Sequence, residues 1–241
     1  MMMQSGDVQI YWMVIPENAK VRDIEQRLDL LTAEERVVYD RYKVDFKKIE
    51  FLMGRLMLKN VLATQLGLDP SEIVFEKNKY GKLFLTAEVK ERAGRDLFFN
   101  LSHGGKVVAM VVTPYSEAGI DVEKVREQHL DLMKTVFMPD EIAYVSKFEG
   151  TDLQREFYQV WTRKEAFVKA VGMGLSIPPD TFSVPLEPGT CTQEDWEYHT
   201  ILPEGEHVLS IAVNKSNKDE EPVYRAQEVL FAELLREECK L

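Results

Sequence analysis

Apolar and polar residues alternate over 8–15, which predicts a strand opening the chain. Strands are also predicted at 97–101, 106–113, 118–122 and 207–213, the first two of these forming a hairpin with Ser102 and His103 at its tip in Ser-His-Gly-Gly. Helical spacing takes over at 51–75 and again at 158–182. Each of these segments reads as a long amphipathic helix ending near glycine, then a Pro-containing turn and a strand. Acidic helix starts at 31–42 and 137–148 precede them, with Thr32 and Asp140 placed as caps. A final helix is predicted over 226–238.

The two helical segments resemble each other at an offset of about 107 residues, a weak internal repeat. The strands follow the same scheme: 118–122 parallels the opening strand, and 207–213 parallels the strand at 107. The expected fold is α+β, two halves related by a pseudo-twofold axis, each a long helix on a small, mainly antiparallel sheet. The junction falls near 114–116, giving an N-terminal half of 1–115 and a C-terminal half of 116–241. A cleft between such halves is a natural ligand site.

The chain has 241 residues, 45% hydrophobic and 29% charged, as in an ordinary globular protein. Its two cysteines, Cys191 and Cys239, are too few and too badly spaced for a disulfide framework or a zinc site. A reducing cytosol is therefore expected, and the first residues carry no basic region or cleavage site of a secretion signal. The longest apolar run, 107–112, is too short to span a bilayer. The net charge of −11 argues against general binding to nucleic acid or anionic membranes. Locally the balance reverses: Arg41, Lys43, Lys47, Lys48, Arg55 and Lys59 face only Asp45 and Glu50. Such a patch suits a small polyanion and equally a solvated helix face.

Candidate chemistry centres on Gly-Ile-Asp-Val-Glu-Lys-Val at 119–125 and on Trp-Thr-Arg-Lys-Glu-Ala-Phe-Val-Lys at 161–169. On a strand, Asp121 and Glu123 share one face and repel each other unless a cation intervenes. A strand end running into solvent gives the same spacing. Trp161, Glu165, Val168, Lys169 and Gly172 fall on one helix stripe, with Trp161 and Val168 read as core. Glu165 interrupts that apolar stripe and needs a partner, either Lys169 or a metal. Ser102 and His103 form a plain turn or offer donors to a phosphate. Lys82 follows a glycine between short strands. A P-loop, a dinucleotide fingerprint, a zinc-protease motif and a nucleophile elbow are all missing from the sequence.

Together, Gly81-Lys82, Phe-Asn-Leu-Ser-His at 99–103, the Asp121 segment and Trp-x-x-Lys-Glu-Ala-x-x-Lys resemble the 4′-phosphopantetheinyl transferases of the surfactin-synthetase-activating type, the long form with two similar halves. The likeness runs from about residue 31 to 175. It implies transfer of 4′-phosphopantetheine from coenzyme A to a carrier-protein serine, yielding 3′,5′-ADP, with magnesium (or manganese) on the pyrophosphate. It implies Asp121, Glu123 and Glu165 as metal ligands, with Glu165 also assisting serine deprotonation. Lys169 would steady or protonate the leaving phosphate. Lys82, Ser102 and His103 would hold the coenzyme A phosphates. Glu50 stands where many members carry arginine, so Arg41, Lys48 and Arg55 are the candidates for the 3′-phosphate. Leu83 replaces the usual proline. Leu132, Val136, Phe137 and Met138 form a candidate surface for an acyl, peptidyl or polyketide carrier, or part of the core. The implied setting is cytoplasmic secondary metabolism, including nonribosomal peptide and antibiotic synthesis, by a monomer. The competing readings are a carrier- or coenzyme-A-binding protein without turnover, and a different magnesium-dependent nucleotide hydrolase.

Overall fold

A computed structural model describes residues 3–4, 6–127, 130–215 and 221–236. The first half contains β1 (Asp7–Val14), α1 (Val21–Ile24), α2 (Ala33–Arg41), α3 (Asp45–Leu66), β2 (Phe75–Lys77), β3 (Leu83–Leu85), α4 (Ala87–Ala93), β4 (Phe98–Gly104) and β5 (Val107–Thr113). There follow β6 (Ala118–Lys124), α5 (Met133–Val136), α6 (Pro139–Val145), α7 (Gly150–Val171), β7 (Thr190–Gln193), β8 (Trp196–Ile201), β9 (His207–Asn214), β10 (Val223–Glu228) and α8 (Phe231–Leu234). One sheet has the order β10-β1-β5-β4 and another β6-β9-β8-β7, while β2 and β3 pair separately.

The alternation along each strand explains the layering. Met13, Val108, Met110 and Val112 pack with Leu52, Met53, Leu56 and Met57 of α3. Their neighbours Val8, Ile10, Val107, Ala109 and Val111 point the other way, onto Ile120, Val122, Leu209, Ile211 and Val213 of the second sheet. Beyond that sheet, Val208, Ala212 and Tyr198 meet Val160, Ala166 and Ala170 of α7. The run at 107–112 is thus a strand buried on both faces, as the sheet-on-sheet contact requires.

Both long helices end at a glycine in the left-handed conformation, Gly67 and Gly172. Thr32 caps α2 as expected: its hydroxyl accepts from Glu35 N at 3.2 Å, and the Glu35 carboxylate accepts from Thr32 N at 3.1 Å. Asp140 is not the cap of α6. Met138 holds that position, Pro139 starts the helix, and Asp140 instead accepts from the Ser183 hydroxyl at 3.2 Å.

Two further expectations fail for tertiary reasons. The segment assigned to a last helix forms β10, which pairs parallel with β1 from Asp7–Val223 to Trp12–Glu228, leaving helix only at Phe231–Leu234. Pairing satisfies the outer edge of β1, a gain that local helix propensity cannot match. The end of the range 116–241 therefore lies in the first half's sheet; Cys239 and residues 237–238 fall outside the described residues. Ser102 and His103 are not at a turn either. They lie inside β4, opposite Ala109 and Val108, and Gly105 with φ +57° makes the turn.

Candidate active site

Strands β4 and β6, one from each half, run together along the seam. Their approach depends on glycine: a β-carbon on Gly104 would overlap the Val122 carbonyl. Gly119 does the same for β6 and α7, since its β-carbon would meet Ala170 Cα at 2.9 Å and overlap the Ala166 carbonyl. Asn100 joins the halves, its Oδ1 accepting from Ile120 N at 3.0 Å. Along this seam the fold gathers the sequence-predicted groups.

Asp121 is 4% exposed. Its Oδ1 accepts from the Ser102 hydroxyl at 2.9 Å and from Lys169 Nζ at 2.5 Å. Lys169 Nζ also donates to Ser102 Oγ at 2.8 Å. A first-half serine, a β6 carboxylate and an α7 ammonium therefore meet at one point. The expected neighbour pair Glu165–Lys169 is replaced by Lys169–Asp121, a bond that the sequence spacing could not indicate. Burial pushes the Glu123 carboxyl up to about 7, with the charges of Asp121 and Glu165 adding to it and Lys169 and Arg126 opposing. Glu165 is raised by burial and by Asp121, against the pull of Lys169. Glu123 and Glu165 thus both feel Asp121 within the second half, and each also feels Lys169.

Among the described residues, no group of three or more His, Cys, Asp or Glu is close enough together to hold a metal ion. The chemistry of the set nevertheless fits a hard cation. The donors are all carboxylate oxygens, two of them resist ionisation because of burial and the neighbouring Asp121 charge, and Asp121 Oδ2 is buried without a hydrogen-bond partner. Lys169 occupies the other oxygen.

A cavity of about 330 Å³ opens over this point, lined by Tyr80, Asn100, Trp161, Glu165, Lys169 and Pro179 among others. A second, of about 200 Å³, shares Gly81, Lys82, Asn100 and Leu101 with it and adds Arg55, Lys77 and His103. A third, of about 370 Å³, lies between Glu123, Arg126, Leu132, Val136, Phe157 and Trp161. Trp161 packs against the second-half core as a half-buried residue and also borders the first and third cavities, so it is a cleft residue as well as a core one. Its place on the Glu165 stripe was the available signal. Asn100, beside the Ser102 motif, was also missed.

The cationic expectations divide. Lys82 Nζ donates to the Ala170 carbonyl at 2.5 Å, and burial lowers it to about 8. Arg55 pairs with Glu35 at 2.9 Å and lies by the Phe51 ring, yet still lines the second cavity. Lys48 sits over the Tyr39 ring and Arg41 is exposed at the end of α2. Lys59 is buried on Glu35 and the Ile73 carbonyl, and Lys47 binds Glu50 at 2.7 Å. Three of the six cations in the basic patch, Lys47, Arg55 and Lys59, are thus engaged by carboxylates within the protein. Glu50, itself buried, also faces His103 Nδ1 at 3.3 Å. Burial and the nearby Lys47 and Lys169 lower His103, with Glu50 opposing.

Of the apolar surface residues, Leu132 is exposed, and Val136 and Met138 are half-buried. Phe137 is a correction: it is 3% exposed and packs on Phe157 with ring centroids 5.0 Å apart, so it belongs to the core.

Known proteins similar to this chain share one family description. Residues 18–115 match the family model for the N-terminal part of 4′-phosphopantetheinyl transferases, and 117–212 match that of the 4′-phosphopantetheinyl transferase superfamily. A 4′-phosphopantetheinyl transferase of Bacillus subtilis is 29% identical over 198 residues, 82% of this chain and 83% of its own. The 4′-phosphopantetheinyl transferase HetI of Nostoc is 27% identical over 204 residues, 83% of this chain and 85% of its own. A solved holo-[acyl-carrier-protein] synthase of Helicobacter pylori, in complex with coenzyme A, is 16% identical, with a TM-score of 0.32, over 44% of this chain and 97% of its own. The two adjoining family models, both of 4′-phosphopantetheinyl transferases, together take in nearly all of residues 18–212, so the chain belongs to the 4′-phosphopantetheinyl transferase family.

Proposed function

We propose that this protein moves the 4′-phosphopantetheine group from coenzyme A to a serine of an apo carrier protein, releasing 3′,5′-ADP. The observation that carries the reading is the three-way contact of Asp121, Ser102 and Lys169 beneath a cavity shared by both halves. The pyrophosphate would lie there, with the first half (1–115) supplying phosphate-binding groups and the second the acidic ones.

Asp121, Glu123 and Glu165, although not gathered into a closed metal site here, are the residues that would hold magnesium. Bound there, the ion supplies charge neutralisation for the pyrophosphate and lowers the cost of phosphoryl transfer. The protein's own groups do the rest. Glu165, whose carboxyl is raised by burial and by Asp121, is suited to accept the carrier serine's proton as its oxygen attacks the β-phosphorus. Lys169 sets its side-chain nitrogen at the centre, on Asp121 and Ser102, and can neutralise the leaving phosphate or protonate it. Ser102 orients that ammonium by accepting its hydrogen bond. Arg55, Lys77 and His103 border the adjoining cavity and offer cationic and imidazole donors to a 3′-phosphate.

The carrier would approach over Leu132 and Val136, beside Trp161. At net charge −11 the protein repels a strongly acidic partner, which favours peptidyl or polyketide carriers of modest charge. Among the described residues no helix is long and apolar enough to cross a membrane. One chain supplies both sides of the seam, so a monomer suffices.

Mixing protein, apo-carrier, coenzyme A and magnesium and weighing the carrier tests the reading. A gain of one phosphopantetheine supports transfer. Free 3′,5′-ADP without carrier modification would indicate a nucleotide hydrolase, and neither product a binding protein.

A further inference from the structure

The turn at 78–82, between β2 and β3, reaches across the seam and grips the end of α7. The last carbonyls of a helix have no donors of their own. In α7 two of them receive donors from the first half: Gly172 O accepts from Asn78 Nδ2 at 2.8 Å, and Ala170 O accepts from Lys82 Nζ at 2.5 Å. Asn78 also builds the turn. Its Oδ1 accepts from Tyr80 N at 2.9 Å and from Lys82 N at 3.0 Å, and its backbone exchanges bonds with Gly81 and Lys82. The fit is close, since a β-carbon on Gly172 would meet Lys82 Cδ at 2.7 Å.

We propose that Asn78 is a positioning residue: by docking the 78–82 turn on the α7 terminus it holds Lys169 and Glu165 in place against Asp121 and Ser102. The inference rests on the transferase reading above. Lys169 lies one residue before a gripped carbonyl, and its ammonium must bridge β4 and β6 at once. Gly119 fixes how near α7 lies to β6 in its own half. The turn is a tether from the other half, and it sets where the helix end stands relative to Ser102. A turn alone needs only the Asn78 oxygen; the Nδ2 bond to Gly172 is the additional contact, and of Asn78's own bonds it is the one that spans the seam.

Two variants separate these roles. Asn78→Asp keeps the acceptor for Tyr80 and Lys82 but faces Gly172 O with an oxygen in place of a donor. Asn78→Ala loses both functions. For both, kcat should fall by about fivefold or more, because small displacements of reacting groups are costly. The Michaelis constant for coenzyme A should stay within about twofold, since ground-state binding is not what is removed. Amide exchange at 168–172 should speed up in both, while the melting temperature stays near that of the wild type. Wild-type kcat in Asn78→Asp would reduce the residue to a turn former and overturn the proposal. So would unchanged exchange at the α7 end, or a loss of activity matched by a loss of folded protein. A wild type that modifies no carrier sinks the transferase reading, and the proposal with it; that case is recognised because the control itself fails.

Discussion

Replacing Glu123 by glutamine should stabilise the metal-free protein while impairing the reaction. In the fold the Glu123 carboxyl is pushed from the ordinary 4.5 to about 7, chiefly by burial and then by Asp121. Below pH 4.5 it is neutral in both folded and unfolded chains. As pH rises through about 7 the folded protein must ionise it beside other carboxylates, and stability is lost over that window. The full shift corresponds to a ceiling of about 3 kcal/mol at 1.36 kcal/mol per tenfold in proton affinity. Glu123 is only half-buried, so solvent screening reduces this to about 1–2 kcal/mol. For a chain of this size that equals about 2–8 °C in melting temperature. Thermal melts of wild type and Glu123→Gln in chelator should therefore diverge at pH 8, with the variant higher, and converge by pH 4.5. Added magnesium should raise the wild type more than the variant and close the gap. A variant that melts at or below the wild type at pH 8 would refute the reasoning, as would a gain independent of pH.

Glu165→Gln should abolish transfer, by about a hundredfold or more, while leaving the circular dichroism spectrum unchanged; retained turnover at saturating magnesium would contradict its role. Lys169→Ala should lower kcat more than it weakens coenzyme A binding, as single-turnover and titration experiments would show. Gly119→Ala should cost about 3 kcal/mol or more, because the new methyl overlaps α7 backbone, and soluble yield with a melt would register it. Desulfo-coenzyme A should still serve as donor in the carrier mass assay, because the chemistry lies at the pyrophosphate end.

Why part of this molecule can be read directly from its residues and part cannot comes down to the range of the interactions. Thr32 with Glu35, Gly67 and Gly172 at helix ends, the alternation in β1 and the unbroken apolar run of β5 are local signals, and they placed both long helices and most strands. Asp121 and Glu123 on a strand and Glu165 and Lys169 on a helix were legible because each pair sits within one element. Their meeting was not. Lys169 hydrogen-bonds Asp121, 48 positions away, and Ser102 joins them from the other half. The C-terminal segment reads as helix by composition, and only the free edge of β1 makes it a strand. Lys82 looks like a free cation until α7's terminal carbonyls claim it. Phe137 looks available until Phe157 covers it. The chain itself determined the elements, the duplicated plan and the kinds of reactive group, since those depend on neighbours a few residues apart. The tertiary structure alone decided which charges pair, which are buried and which face the cleft, because burial and ion pairing depend on residues that only folding brings together.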